Sequence, residues 1–485
     1  MSEEDDKPNR QVEPISLEIG KPVTDQHRPG KPVWVTIREL GKGAFGTVYH
    51  VVNQQTKEEA ALKIETMTAG DNLLKIEREI MNAMKNERSA IHVFDDGIFG
   101  EYRFIVMTLC GPDLEKIANQ MNWKFRHDTV LRVSIRTLLA IKTLHEAEYV
   151  HRDLKPCNFA LDYQLTSLNI YLFDYGMARK YARKDREKYV FRRPRQNPQF
   201  RGTIQYCSLN MHKLKELGRV DDIWSWLFMA AEMVAPLPWK GVQRQDLAEI
   251  RKEEQLLKYF SSVDPFITST FLPIHNMLIN VTYAERPDYA KMFNLLYTKL
   301  REVGGNLTGP MEYDSIRLSA KQDEEIKTTM KSLHLNPREP PKVESEQEAV
   351  NRLTAEFSKA GVPDGTKHIL GEAVDFFGSF KQAEQPERTD EALNRKKAVR
   401  ETPVRNKNTL RGNIGVFQKE APAVMNAKNT RNKMLPNRKN ASEPNSGGVG
   451  NSARPSQVSK AKTGRKPVKT GQQSKTANHN KAIRH

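Results

Sequence analysis

Apolar and β-branched residues come in short runs along the first part of the chain. Lys31-Pro-Val-Trp-Val-Thr-Ile reads as a strand that leads into glycines, and Thr47–Val52, Ala60–Ile64 and Phe104–Met107 read as further strands. Among them the period changes. Asn72–Met84 has apolar residues at 73, 76, 80, 81 and 84, the spacing of a helix. Beyond Gly111 helical spacing takes over. Thr129–His145 is apolar at 130, 131, 133, 135, 138, 139, 141 and 144, which predicts a helix buried on most sides. Asp221–Met233 and Phe266–Leu278 also read as apolar helices. The expectation is an α+β fold, with a small strand-rich half followed by a larger helical half.

The ends of the chain read differently. Residues 1–30 are charged and carry prolines at 8, 14, 22 and 29, so a flexible leader is expected. After Leu300 the pattern weakens, and 305–380 is expected to be a partly helical extension. Ala349–Ala360 and Ala373–Phe380 are its amphipathic pieces; the second holds Phe376, Phe377 and Phe380. From Lys381 to His485 basic residues number 24 against 7 acidic ones, which accounts for the whole net charge of +17. The mean hydropathy of −0.67 is low for a uniformly packed protein, and this stretch reads as a disordered basic tail. It contains one aromatic residue, Phe417, which argues against base stacking and a nucleic-acid partner. Arg395-Lys-Lys397 and Arg465-Lys466 are candidate nuclear-import runs. Cys110, Cys157 and Cys207 are far apart and form no CxxC pair, which predicts neither a disulfide framework nor a zinc site. No run of 18 apolar residues occurs, so no membrane span is expected. These features predict a cytoplasmic protein.

Gly41-Lys42-Gly43-Ala44-Phe45-Gly46-Thr-Val48 is a phosphate-cradling pattern, because glycines let the backbone fold tightly over a charged group without Cβ clashes. A dinucleotide site would need a helix to begin at these glycines. Here a β-branched strand follows, which rejects that reading. Ala61-Leu-Lys63-Ile places a lysine on the next strand. Glu77 and Glu79 follow on the predicted helix, and Glu77 lies at the edge of the face bearing Leu73, Ile76 and Ile80. Glu77 is the expected partner of Lys63. Tyr149-Val-His151-Arg152-Asp153-Leu-Lys155-Pro-Cys157-Asn158 and Leu172-Phe-Asp174-Tyr175-Gly176 complete the series.

In this order and context the motifs resemble those of protein kinases over residues 31–304. The resemblance implies a bilobal fold: a five-stranded antiparallel sheet with one helix, hinged near Met107–Gly111 to a helical lobe. It implies ATP and Mg²⁺ as cofactors. Gly41, Lys42, Gly43, Ala44, Phe45, Gly46, Val48, Ala61, Met107 and Leu109 would surround the nucleotide, and Lys63 held by Glu77 would reach its phosphates. Asp153 would accept the substrate hydroxyl proton, Lys155 would neutralise the γ-phosphate, and Asn158 and Asp174 would bind the metal. Lysine two residues after the catalytic aspartate is the serine/threonine form. Asp222 would anchor the catalytic-loop backbone. Tyr175 stands where phenylalanine is usual, so its hydroxyl needs a partner.

Gly202-Thr203-Ile-Gln-Tyr206-Cys207-Ser208-Leu-Asn210-Met-His212 replaces the APE motif and resembles the casein kinase 1 group. Gly218-Arg219-Val-Asp221-Asp222-Ile-Trp224-Ser225 resembles the tau-tubulin kinase family within it. The APE glutamate that usually pairs with the equivalent of Arg286 is absent. From Met177 to Gly202 there are ten basic residues, two acidic ones, and no Ser or Thr. Activity independent of Ser/Thr phosphorylation in this loop is therefore expected. So are protein substrates that are acidic, tubulin-like or already phosphorylated. The alternative is a pseudokinase scaffold or a polyanion- or tubulin-binding protein acting through its tail. Lys63, Asp153, Asn158 and Asp174 are all present, which favours the enzyme.

Overall fold

The computed structural model describes residues 16–43, 46–67, 73–163, 169–315, 320–335 and 344–365. The β-branched runs pair into one sheet. Its strands are β1 (Pro22–Val23), β2 (Trp34–Gly43), β3 (Gly46–Asn53), β4 (Glu59–Thr66), β5 (Val93–Phe99) and β6 (Tyr102–Met107), in the antiparallel order β1-β2-β3-β4-β6-β5. Its core packs Trp34, Tyr49, Val51, Leu62, Ile64, Phe104 and Val106. Helix α1 (Leu73–Ala83) buries Leu74, Ile80 and Met81.

The sheet has six strands, not five. The additional strand comes from the stretch expected to be a flexible leader: Pro22 and Val23 pair with Val35 and Trp34. Val23 and Leu17 are buried there, and the amide of Leu17 donates to the Tyr49 hydroxyl at 2.8 Å. Two paired residues among prolines and charges carry too little periodicity to be read as a strand.

A short strand β7 (Cys110–Asp113) leads to α2 (Leu114–Gln120), capped by the Asp113 carboxylate, and to α3 (His127–Glu146), the axis of the helical lobe. Nearly every residue of α3 is buried, as the breadth of its apolar pattern requires. The catalytic-loop strands follow: β8 (Tyr149–Val150), β9 (Phe159–Asp162) and β10 (Ile170–Leu172). Then come β11 (Arg179–Lys180), which pairs with β8, and a hairpin of β12 (Ala182–Asp185) and β13 (Lys188–Phe191). The remaining helices of the lobe are α4 (Leu209–His212), α5 (Arg219–Glu232), α6 (Gln245–Ser262), α7 (Pro265–Thr270), α8 (Leu272–Leu278) and α9 (Tyr289–Glu302). The single helix expected over Phe266–Leu278 is two helices meeting at Phe271. Pro273, in the first turn of α8, has no amide to continue the ladder of α7.

The extension folds back on both lobes. Helix α10 (Ala320–Ser332) and Leu335 put Ile326 and Met330 against Ile37 and Val52 of the sheet. Helix α11 (Glu346–Ser358), opened by a Ser345–Glu348 capping box, stacks Phe357 on Phe293 of α9 at 4.6 Å. The chain then runs beside the catalytic-loop strands, where Val362 packs with Val150, Tyr181, Ala182 and Phe191. Ala373–Phe380 and the basic tail lie outside the described residues.

Candidate active site

The glycine hairpin closes with Gly43 opposite Gly46; Ala44 and Phe45 lie outside the described residues. Gly46 has φ +134°, and a Cβ there would sit 2.1 Å from the Ile64 carbonyl oxygen, so no other residue fits. Gly41 pairs with Val48, Lys42 with Thr47, and Val48 in turn with Lys63. Ala61 lies opposite Met107 across β4 and β6. Leu109 is buried just beyond, and the Thr108 hydroxyl accepts from the His92 amide at 2.9 Å to fix this linker.

Lys63 Nζ donates to both carboxylate oxygens of Glu77, at 2.7 and 2.6 Å. Glu77 is 5% exposed, whereas Glu79 faces solvent. Burial of one partner takes this pair beyond an ordinary surface ion pair: removing Glu77 would strand a half-buried ammonium.

On the other side of the cleft, Asp222 fixes the catalytic-loop backbone. Its oxygens accept from the amides of His151 at 2.6 Å and Arg152 at 2.8 Å. His145 Nε2 donates to the same carboxylate at 2.8 Å, and its Nδ1 accepts from the Tyr289 hydroxyl at 2.7 Å. Burial alone would raise the Asp222 pKa, but these donors outweigh it and hold it below the usual value. With the backbone so held, Arg152 takes φ +70° and Asp174 φ +64°, conformations that non-glycine residues rarely adopt.

The Asp153 carboxylate accepts from Lys155 Nζ and from the Thr203 hydroxyl, both at 2.7 Å. Burial works against the charge on Lys155, yet Asp153 beside it carries its pKa above the ordinary value. Asn158 Nδ2 donates to the Asp153 carbonyl at 2.9 Å, which fixes its amide. The Asp174 carboxylate is exposed at the start of the next turn. Asp174 and Asn158 offer hard oxygen ligands. Mg²⁺ takes few protein ligands and completes its shell with phosphate and water, so the pair suits it. Tyr175 finds its hydroxyl partner in the Leu172 carbonyl, at 2.7 Å.

Two features have no local signature. Gly202 has φ +93°, and a Cβ there would lie 2.7 Å from the Arg152 carbonyl oxygen; this close approach brings Thr203 to Asp153. Glu216, remote in sequence, accepts from Arg195 Nε at 2.6 Å and lies 3.7 Å from Arg179 Nε. The activation segment therefore neutralises part of its own charge, and Lys180 pairs with Glu148 at 2.9 Å. Arg152 donates to the Met177 carbonyl, and burial beside Arg179, Arg201 and Arg195 pushes its pKa down to about 9. Arg286, left without its usual partner by the missing APE motif, pairs with Glu146.

A lysine–glutamate pair on a glycine-roofed sheet, facing an aspartate–lysine pair on a helical lobe, defines a phosphotransferase that draws on a nucleotide. Known sequences make the class specific. The protein kinase domain model matches residues 34–297. A serine/threonine-protein kinase of Caenorhabditis elegans is 32% identical over 287 residues, covering 58% of this chain and 80% of that protein. The serine/threonine-protein kinase spe-6 of the same organism is 29% identical over 301 residues, 60% of this chain and 78% of the relative. A Dictyostelium discoideum serine/threonine-protein kinase is 27% identical over 285 residues, 58% of this chain and 56% of the relative. The chain belongs to the protein kinase family and is a protein serine/threonine kinase. Enzymes of this family use ATP and Mg²⁺.

Proposed function

We propose that the enzyme phosphorylates Ser and Thr at sites flanked by a carboxylate or an existing phosphate, as a member of the casein kinase 1 group close to tau-tubulin kinases. The observation that carries this is the gathering of Arg179, Arg195 and Arg201 around Arg152, with a single carboxylate, Glu216, among them, which pairs with Arg195 and Arg179. Four guanidiniums against one acid leave positive potential beside the catalytic loop, and a bidentate anion relieves it. Asp153 serves as the base that orients the substrate hydroxyl, and Lys155 steadies the charge that develops on the transferred group. Lys63, held by Glu77, would position the nucleotide phosphates; Asn158 and Asp174 would hold Mg²⁺, which would supply charge neutralisation to them. Gly41, Lys42, Gly43, Gly46, Val48, Ala61, Met107 and Leu109 form the nucleotide's surroundings.

Glu216 supports a second part of the reading. It gives Arg179 and Arg195 an internal carboxylate, so the segment needs no phosphorylated Ser or Thr of its own. Purified unphosphorylated enzyme should phosphorylate peptides directly; inertness before loop phosphorylation would refute this. Matched peptides with Ser, Asp or phosphoserine beside the target test the specificity. The charged peptides should show at least about tenfold higher kcat/KM, and Arg201→Ala should erase most of that ratio, at about 1.4 kcal/mol per factor of ten. Equal kcat/KM for the three peptides would overturn the preference.

A further inference from the structure

Lys252 has no part in the nucleotide or metal sites, yet it is 0% exposed, a rare state for lysine. Its ammonium has three protons and meets three oxygen and nitrogen acceptors, the Ile204 carbonyl at 2.7 Å, the Cys207 carbonyl at 2.6 Å and His212 Nε2 at 3.0 Å, with the Cys207 sulfur a weaker fourth at 3.6 Å. The rings of Phe228 and Trp239 lie 5.5 and 5.7 Å from Nζ, within cation–π range. The carbonyl between, that of Gln205, accepts from Trp239 Nε1 at 2.8 Å. Glu232 takes the Gln205 amide at 2.8 Å and the Tyr206 hydroxyl at 2.6 Å. Residues 204–207 are thus gripped from α5, α6 and the turn between them, and the residue just before them, Thr203, donates to Asp153. Burying a cation is costly, and a chain that needed only to fill this space would do so with Met or Leu. Arg286 pairs with Glu146 and does not reach this segment, so the grip falls to other residues.

We propose that Lys252 is a positioning residue for phosphotransfer: by holding the carbonyls of Ile204 and Cys207 and the imidazole of His212, it sets the segment that places Thr203 against Asp153. This depends on the kinase assignment and not on the preference for acidic sites. It also gives the S-x-N-x-H sequence a physical division of labour. Ser208 and Asn210 donate to Asp221 at 2.6 and 3.0 Å, while His212 turns to Lys252.

The arrangement is sensitive to pH. Cys207 and His212 are the titratable groups that face Lys252 from the segment and α4; from α5 and the following turn the rings of Phe228 and Trp239 face it, while the α5 carboxylate, Glu232, is bonded to Gln205, Tyr206 and Lys240. On its own helix, Glu253 pairs with Lys213 at 2.6 Å. Burial pushes the Lys252 pKa down to about 8 against a smaller opposing effect of Cys207, and burial beside Lys252 pushes His212 down to about 4, so His212 stays neutral. Above pH 8 the amine has two protons for three acceptors.

The test is the pH profile of peptide kcat/KM for wild type, Lys252→Arg and Lys252→Met, with ATP-analogue binding measured in parallel. Wild type should lose activity on the alkaline side with a midpoint near pH 8, while nucleotide affinity stays level. Lys252→Arg keeps its charge across the range and should lose that alkaline limb. Lys252→Met should fall at least about tenfold in peptide kcat/KM at pH 7 and show no limb either. A limb that persists in Lys252→Arg assigns the titration elsewhere, to Arg152 for example, and overturns the proposal. So does a folded Lys252→Met within twofold of wild type. If neither variant folds, the wild-type profile decides: a limb in peptide turnover with its midpoint near pH 8 and none in nucleotide binding is support, and a profile that is level through pH 9.5 or turns down only near pH 9, where Arg152 titrates, is refutation.

Discussion

Tyr175 keeps the aromatic ring usual at its position and adds an oxygen that the chain must satisfy. The ring packs edge-on to His151 at 5.9 Å, and the hydroxyl closes a three-residue loop onto Leu172. Tyr175→Phe should leave turnover within a few-fold of wild type and lower stability by about 1 kcal/mol, read as a small drop in Tm. A buried histidine makes a prediction of the opposite reach. Burial pushes His145 below its usual 6.5 despite the Asp222 carboxylate, so the folded protein keeps it neutral while the unfolded chain protonates it. Its stability contribution is complete above pH 6.5 and is lost as pH falls from that value to the lower one of the folded state; the depressed Asp222 acts in the same direction at lower pH. Tm should therefore decline from pH 7 to about pH 5, and less steeply in His145→Gln, which is checked by thermal melts across that range. At this scale the sequence was most readable where chemistry sits in contiguous motifs. Lys63, Asp153, Asn158 and Asp174 each announce themselves through immediate neighbours. Thr203, Glu216 and Lys252 do not, because their partners lie 50, 21 and 45 residues away. Lys252 in Arg-Lys-Glu-Glu looks like part of a solvated face until α6 packs.

Elements were legible in proportion to their one-sidedness. The strands β2, β3 and β4 and the helix α3 bury large, periodic apolar sets, and their spans match the pattern to within a few residues. Helix α6 buries only Ala248, Lys252, Tyr259 and Phe260 and leaves Leu247, Ile250 and Leu257 exposed, so its pattern is blurred. The close meeting of the catalytic loop and activation segment depends on Gly202. Gly202→Ala must move the Arg152 carbonyl or the segment itself; kcat should fall by at least about tenfold, with KM for ATP little changed. Helix α11 is tied down by one aromatic. Phe357 is 2% exposed and stacks on Phe293, so Phe357→Ala should cost about 3–5 kcal/mol, measured by denaturant unfolding of the whole chain.

At the scale of the molecule, the described residues 305–315, 320–335 and 344–365 act as a belt. Helix α10 lies on the sheet lobe and α11 on the helical lobe, while Lys359 pairs with Glu87 and Arg88 with Glu344 between them. Past α11, the Val362 amide donates to Glu146, the residue that also holds Arg286. Buried Arg219 donates to the carbonyls of Val362 and Pro363 at 2.8 and 2.9 Å. Family resemblance ends near residue 304 because the motifs of catalysis end there; the packing does not. A chain ending at 304 would leave Ile37, Val52, Phe293 and Phe191 facing water where the belt now covers them. It would then be sticky as well as less stable, self-associating through three greasy faces. Light scattering of the chain cut at 304 beside one cut at 365 would show whether the segment that adds no catalytic group is what keeps the enzyme dispersed.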